Sequence, residues 1–317
     1  MKLFVTGGAG FIGSHVVQKA IEADHQVTVF DNLSKGYRAL VDPRATLIEG
    51  DLADLGRVTE ALAGHDAVIH LAATSIIRET IDDPAGAFRN NVTNGINLLE
   101  GMRAVGIHKI INSSTAAVYG QPQTIPVPET EPKHPITPYG ASKAAFELAL
   151  EAYHAIYGLQ AISLRYFNAY GPRDEQQPRT RAVPKWVGAV LQQQPVDVYW
   201  QGRQYRDYVY VGDIAEAHLR VLPLDGCNAF NIGSGQGVYM LDVLETLGRI
   251  TGLAPIIRDL GERPGDPAKL VADTTRLQQA VGWRPQVALE AGLRKTVLYY
   301  QNALVAGPHF NAADGAV

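Results

Sequence analysis

Short apolar runs recur through the first half of the chain, at residues 2–6, 26–30, 46–49, 67–72, 109–113 and 160–165. Between them, residues 14–23, 55–63, 86–105 and 140–157 place apolar side chains at helical spacing. Unbroken apolar runs suit strands buried on both faces. Their alternation with helices predicts parallel strands joined by right-handed crossovers, a doubly wound α/β sheet. The rhythm breaks after residue 167. Residues 172–180 and 201–206 are rich in Pro, Gly, Gln and Arg and read as loops. Residues 207–222 return to a strand followed by a helix, and Phe230, Asn231, Ile232 and Gly233 end a further strand. The expected division is a sheet domain over 1–167 and a smaller, interleaved C-terminal α/β substrate lobe over 168–317, with about 207–232 returning to the first domain.

The first strand runs into Gly7-Gly8-Ala9-Gly10-Phe11-Ile12-Gly13, and a helical pattern follows at once. This is the order a dinucleotide site needs. Gly7 permits a tight turn, Gly10 lets the backbone approach a pyrophosphate, and Gly13 allows helix to pack closely on strand. The second strand ends in Asp31, eighteen residues after Gly13. A carboxylate there accepts hydrogen bonds from the adenosine ribose and repels a 2′-phosphate, which predicts NAD over NADP. The competing reading is a structural turn at the glycines and a helix cap at Asp31. With the fingerprint in place, the sheet is expected to be Rossmann-type. Ligands in such sheets lie beyond the carboxyl ends of the strands, where Asp51 and Leu52, then Leu71, Ala72 and Ala73, then Ser113, Ser114 and Thr115 all fall.

The last of those strand ends leads to Tyr139-Gly140-Ala141-Ser142-Lys143, just after Pro138. Proline favours the first turn of a helix over its interior, so Tyr139 is expected near the start of a helix with Lys143 one turn later on the same face. An ammonium beside a phenol favours the phenolate, which makes the pair a plausible acid/base device. Tyr-x-x-x-Lys alone is a short pattern that chance often supplies, and strand-end hydroxyls commonly satisfy loop backbone. The weight comes from the combination: a nucleotide fingerprint, hydroxyls at a strand tip and this pair on the next helix.

Composition narrows the partners. The 317 residues carry a net charge of −4 with a pI near 6.1, so there is no long-range attraction for nucleic acid or an anionic membrane. The single Cys227 forms no internal disulfide, and no leader or long apolar run is visible, which points to a cytoplasmic, soluble protein. On the helix over 140–157, Lys143, Glu147, Glu151 and His154 form one narrow polar line, and the rest of the circumference is mostly apolar. More apolar surface than one sheet can cover is expected to dock a second copy, giving a homodimer.

Taken together, the motifs resemble the extended short-chain dehydrogenase/reductase family, and within it the UDP-glucose (UDP-galactose) 4-epimerases. The likeness runs from Lys2 to about Leu293. It rests on residues 6–13, Asp31-Asn32-Leu33, Asp51-Leu52, the run from Ser113 to Gly120, Tyr139 to Lys143, Leu164 to Asn168, and Tyr205 to Tyr208. It implies NAD as cofactor, held by Gly7, Gly10, Phe11, Ile12, Gly13, Asp31, Asn32, Asp51, Leu52, Leu71, Ala72, Ala73, Asn91, Ser113, Tyr139, Lys143 and Tyr166. It implies a UDP-sugar on the second lobe, with Asn168, Arg206 and Arg263 at the diphosphate, Tyr199 stacked on the uracil, and Arg181, Val183, Asp266 and Leu270 toward the substrate. The implied chemistry is inversion at C4 through a 4-keto sugar, with Tyr139 as base, Thr115 on the same oxygen, and Lys143 supporting both phenol and nicotinamide ribose.

Within that family, dehydratases carry Asp-Glu directly after the hydroxyl residue and decarboxylases typically a Glu at the second place. Here both places are alanine, Ala116 and Ala117, which favours epimerisation by elimination. Two departures bear on the sugar. Leu270 stands where hexose-restricted relatives have a bulky tyrosine, which would admit an N-acetyl group. Ser75 stands where a lysine often meets the cofactor phosphates. Arg181 would suit a C6 carboxylate, so UDP-glucuronate stays open. A non-catalytic NAD-sensing protein is the reading from another class, and the retained Thr115, Tyr139 and Lys143 speak against it.

Overall fold

The apolar runs become the strands of one sheet in the computed structural model, which describes residues 1–175, 181–262 and 267–306. In the first part of the chain, strands β1 (Lys2–Thr6), β2 (Gln26–Asp31), β3 (Thr46–Glu49), β4 (Ala67–His70), β5 (Lys109–Thr115) and β6 (Gln160–Tyr166) alternate with helices. These are α1 (Phe11–Glu22), α2 (Leu55–Leu62), α3 (Ile77–Asp82), α4 (Pro84–Phe88), α5 (Asn94–Val105) and α6 (Pro138–Tyr157). The second part supplies β7 (Asn168–Tyr170), α7 (Ala182–Leu191), β8 (Pro195–Val198), β9 (Tyr205–Tyr210), α8 (Val211–Arg220) and β10 (Cys227–Ile232). It continues with β11 (Gly237–Tyr239), α9 (Met240–Thr251), β12 (Ile256–Asp259), β13 (Lys269–Leu270), α10 (Thr275–Val281) and α11 (Leu289–Ala306).

The large sheet is parallel, in the order β10-β6-β5-β4-β1-β2-β3. The chain leaves β1 toward β2 and β3, then crosses back to place β4 on the other side of β1, and this reversal opens a crevice between β1 and β4 at their carboxyl ends. Side-chain alternation along β1 sends Leu3 and Val5 into a core with Val16, Val17, Ile214 and Ala217 of α1 and α8. Phe4 goes the other way, into a core with Val58, Leu98 and Phe146 of α2, α5 and α6. Phe146 is fully buried, and a side chain of that kind stabilises the fold by about 2 to 3 kcal/mol. From the second half, β10 is the edge strand of this sheet. The remaining short strands form β11-β9-β13, with β7 also on β9, and a β12-β8 pair. A third core, with Trp186, Val243 and Tyr300, lies under them.

Two expectations are corrected. The helix expected over 86–105 is α4, then a π-helical stretch at Arg89–Thr93, then α5, and α3 precedes it without having been foreseen. The strand expected over 67–72 ends at His70, leaving Leu71 to Ile76 as a loop beyond its carboxyl end. On α6, the first two members of the expected polar line, Lys143 and Glu147, are buried: Ser113 meets Lys143, and Ser114 and Arg165 meet Glu147. Leu148, Ile156 and Tyr157 of α6 are exposed.

Candidate active site

The glycine turn is a cradle that any side chain would fill. Gly7 has φ +71°, and a Cβ added there would stand 2.5 Å from Ala72 N. One added at Gly13 would run into the Gly7 carbonyl oxygen, so α1 can press onto the turn only because that atom is missing. At Gly10 the nearest obstacle is 3.3 Å away. Gly10 is also the N-cap of α1 and brings no side chain to satisfy the helix's first amides. Those amides and the positive end of the helix dipole suit a phosphate, so the residues fit a dinucleotide.

Asp31 ends β2 beside this turn. Its Oδ2 accepts from Ala9 N–H at 3.0 Å and its Oδ1 from Leu33 N–H at 2.9 Å. Burial raises its pKa, and the two backbone hydrogen bonds work against that rise. Next to it, Asn32 Nδ2 donates to Asp51 Oδ2 at 2.6 Å. The loop after β4 is held from below: Thr74 N–H donates to Asn91 Oδ1 at 2.8 Å, and Asn91 Nδ2 donates to Thr74 O at 3.0 Å and to Ser142 Oγ on α6 at 2.9 Å. Asn90, its neighbour on the π-helical stretch, donates to Thr74 Oγ1 at 3.0 Å.

Across the cleft, Thr137 caps α6 by accepting from Gly140 N–H at 3.1 Å, Pro138 takes the first helical position, and Tyr139 follows in the first turn. Thr115 ends β5, where its hydroxyl also accepts from Ala117 N–H at 3.2 Å. Burial raises the Tyr139 pKa, while the Arg181 guanidinium and a hydrogen bond from Thr115 pull it down. Lys143 is buried with Nζ 3.4 Å from Ser113 Oγ, and burial lowers its pKa to about 8 against the opposing pull of Glu147. Arg181 is thus a second cation facing the phenol, beside the expected Lys143, whose ammonium points at Ser113 Oγ. Arg181 donates to Asp174 Oδ1 at 2.7 Å and Ser75 Oγ at 3.3 Å, and its guanidinium stacks 5.4 Å from the Phe11 ring. Ser75 therefore meets a cation in the cleft without being the expected lysine.

One cleft of about 790 Å³ collects most of the predicted residues. Its lining takes in Gly7, Gly10, Phe11, Ile12 and Gly13; Asp31, Asn32, Asp51 and Leu52; Leu71, Ala72 and Ala73; and Ser113, Thr115, Tyr139 and Tyr166. Asn168, Arg181, Val183 and Arg206 line it from the second half of the chain. Arg206 is buried and donates from Nη1 to the carbonyls of Tyr205 and Ala268, at 3.1 and 3.2 Å. Four predicted residues lie outside the lining. Asn91 and Lys143 sit behind it, Tyr199 opens a short turn at Trp200–Gly202, and Leu270 packs on the cluster of Ala116, Val118, Tyr119 and Phe167. Arg263 and Asp266 lie outside the described residues.

The lining also holds residues that the sequence reading missed: Lys35, Gly36, Tyr37, Asn90, Arg173 and Asp174. Gly36 was the available signal, since a Cβ there would come within 2.8 Å of the Ala9 Cβ. The Cys227 thiol is pushed up by burial and by Glu151 and Glu147, which keeps it protonated and unreactive. No described helix is long and apolar enough to cross a membrane.

Residues 3–233 match the NAD dependent epimerase/dehydratase family. The UDP-glucose 4-epimerase of Lacticaseibacillus casei is 39% identical over 305 residues, covering 90% of this chain and 92% of that protein. Among solved structures, the UDP-glucose 4-epimerase of Thermus thermophilus in complex with NAD superposes with a TM-score of 0.89 at 39% identity, covering 96% of this chain and 100% of that one. The UDP-N-acetylglucosamine 4-epimerase of Methanobrevibacter ruminantium, in complex with UDP-N-acetylmuramic acid, gives 0.90 at 34% identity, covering 95% and 98%.

Proposed function

The chain belongs to the NAD dependent epimerase/dehydratase family, and on that premise we propose that it is an isomerase inverting C4 of a UDP-hexose, interconverting UDP-glucose and UDP-galactose. The observation that carries this reading is the meeting of Thr115 and Tyr139 in the same cleft as the glycine cradle, with only Ala116 and Ala117 following Thr115. The two positions after Thr115 carry no acid or base that could assist elimination of water.

When bound, NAD supplies a hydride acceptor and donor. Gly7, Gly10, Phe11 and Ile12 would hold its phosphates and Asp31 its ribose hydroxyls. Tyr139 Oη takes the proton of the C4 hydroxyl as C4 is oxidised, and gives it back when C4 is reduced on its other face. Thr115 hydrogen-bonds the same oxygen and steadies the carbonyl. Arg181 favours the phenolate that this proton transfer needs. Asn168 and Arg206 supply an amide and a guanidinium for the diphosphate.

Two further features support particular extensions. Arg181 in the cleft suits a C6 carboxylate and favours UDP-glucuronate as the second substrate class. The packing of Leu270 on the cluster of Ala116, Val118, Tyr119 and Phe167 supports its reading as core filling over one as an opening for an N-acetyl group. On α6, Ile156 is 73% exposed, and Leu148 and Tyr157 are also exposed, which suits docking of a second copy. The test is incubation of the purified protein with a panel of UDP-sugars and no added NAD, followed by chromatography. C4 epimers are expected, and Tyr139→Phe is expected to keep its NAD while turnover falls by about a hundredfold or more. Absence of any C4 epimer from the wild-type protein refutes the assignment.

A further inference from the structure

Glu147 lies on α6 one turn beyond Lys143, 3% exposed and outside the cleft lining. A buried carboxylate needs partners to persist as an ion, and its two oxygens take four hydrogen bonds. Oε1 accepts from Ser114 Oγ at 2.6 Å and Arg165 Nε at 3.0 Å, and Oε2 from Arg165 Nη2 at 2.7 Å and Lys133 Nζ at 3.3 Å. Ser114 stands between Ser113 and Thr115 at the tip of β5. Arg165 precedes Tyr166 on β6, and Lys133 belongs to the segment leading into α6. From Arg165 the network continues: Nη1 donates to Tyr119 Oη at 2.8 Å, which donates to Asn231 Oδ1 on β10 at 2.7 Å. One carboxylate therefore joins the strand that presents Thr115 to the helix that presents Tyr139 and Lys143.

We propose that Glu147 is a positioning residue for the reaction: through Ser114 and Arg165 its carboxylate fixes the tip of β5, which presents Thr115, against α6, which presents Tyr139 and Lys143. This rests on the C4 epimerase reading. The groups around Lys143 support it element by element. On α6 itself stand Tyr139 and Glu147, one turn to either side. From β4 comes His70, which burial and Lys143 depress to about 3 and so hold neutral. From β5 comes the Ser113 hydroxyl. From β6 come Tyr166, whose phenol burial keeps protonated, and Arg165, whose charge is engaged by Glu147. Glu147 is the anion of this group, and it opposes the burial that pulls Lys143 down to about 8.

Glu147→Gln keeps the size of the side chain and removes its charge. Measured from about pH 6 to about pH 10, the alkaline limb of kcat is expected to move to lower pH, so that kcat near pH 8.5 falls about tenfold relative to that near pH 6.5, with KM little changed. Because the single variant leaves the Arg165 guanidinium without its carboxylate, Glu147→Gln with Arg165→Met is the second variant; a smaller displacement in the same direction is expected in it, since loss of the guanidinium charge offsets part of the loss of the carboxylate. The pH dependence of urea unfolding supplies a readout independent of turnover. The rise in stability as Lys143 loses its proton is expected to begin at lower pH in both variants. Profiles of wild-type shape in turnover and unfolding, with only a uniform loss of kcat or stability, overturn the proposal. A wild-type protein that makes no C4 epimer instead overturns the epimerase reading, and the unfolding curves then decide the role of Glu147 alone.

Discussion

Lys143→Met isolates the cost of holding an ammonium inside this fold. Lys143 is 2% exposed, and its pKa lies at about 8 against an ordinary 10.5. For a basic group depressed in the fold, both states are protonated below about pH 8 and the burial cost is fully present. Between about 8 and 10.5 the unfolded chain binds the extra proton, so stability rises with pH, and above 10.5 the relief is complete. The gap of about 2.5 pH units, at about 1.4 kcal/mol each, amounts to about 3 kcal/mol. Full burial means that solvent screening takes little from this figure. His70 titrates near pH 3 and stays neutral throughout the window. The assay is urea unfolding of wild type and Lys143→Met at about pH 7, 9 and 11. The wild type is expected to gain about 3 kcal/mol relative to the variant across that range, with the change centred between about pH 8 and 10.5. A difference that stays flat with pH refutes the reasoning, because it would mean that Lys143 is not held at a depressed pKa.

Two other outcomes follow from single contacts. Gly13→Ala places a methyl group against the Gly7 carbonyl oxygen; it is expected to cost about 1 to 3 kcal/mol and to lower the NAD content of the purified protein, read from absorbance of the protein-free extract. Ile156→Glu puts a charge on the 73% exposed position of α6; sedimentation is expected to shift from dimer to monomer with a melting temperature close to that of wild type, and a monomeric wild type refutes the docking surface.

The strands of the large sheet were legible because burial on both faces forces unbroken apolar runs, and the cleft residues on them followed from their places at strand ends. Residues 86–105 were read as one helix because the wide turn at Arg89–Thr93 leaves no mark in apolar spacing. Spacing placed Tyr139, Lys143 and Glu147 on one helix face, but it did not say that the face points inward. That depends on Ser114 and Arg165, which the fold brings from other strands. Arg181 was foreseen as a substrate contact, and its effect on Tyr139 needed three-dimensional proximity. Tyr199 and Leu270 were expected at the substrate by resemblance, and the chain packs them outside the lining.

The pair Asn90 and Asn91 has a mechanical consequence. In a regular α-helix adjacent side chains diverge by about 100°; on the π-helical stretch both grip Thr74, and Asn91 also reaches Ser142 on α6. The platform on which a cofactor would rest and the helix carrying the proton-transfer phenol are thus clamped as one rigid jig. A ligand laid on that floor is indexed to Tyr139 before any part of the protein moves.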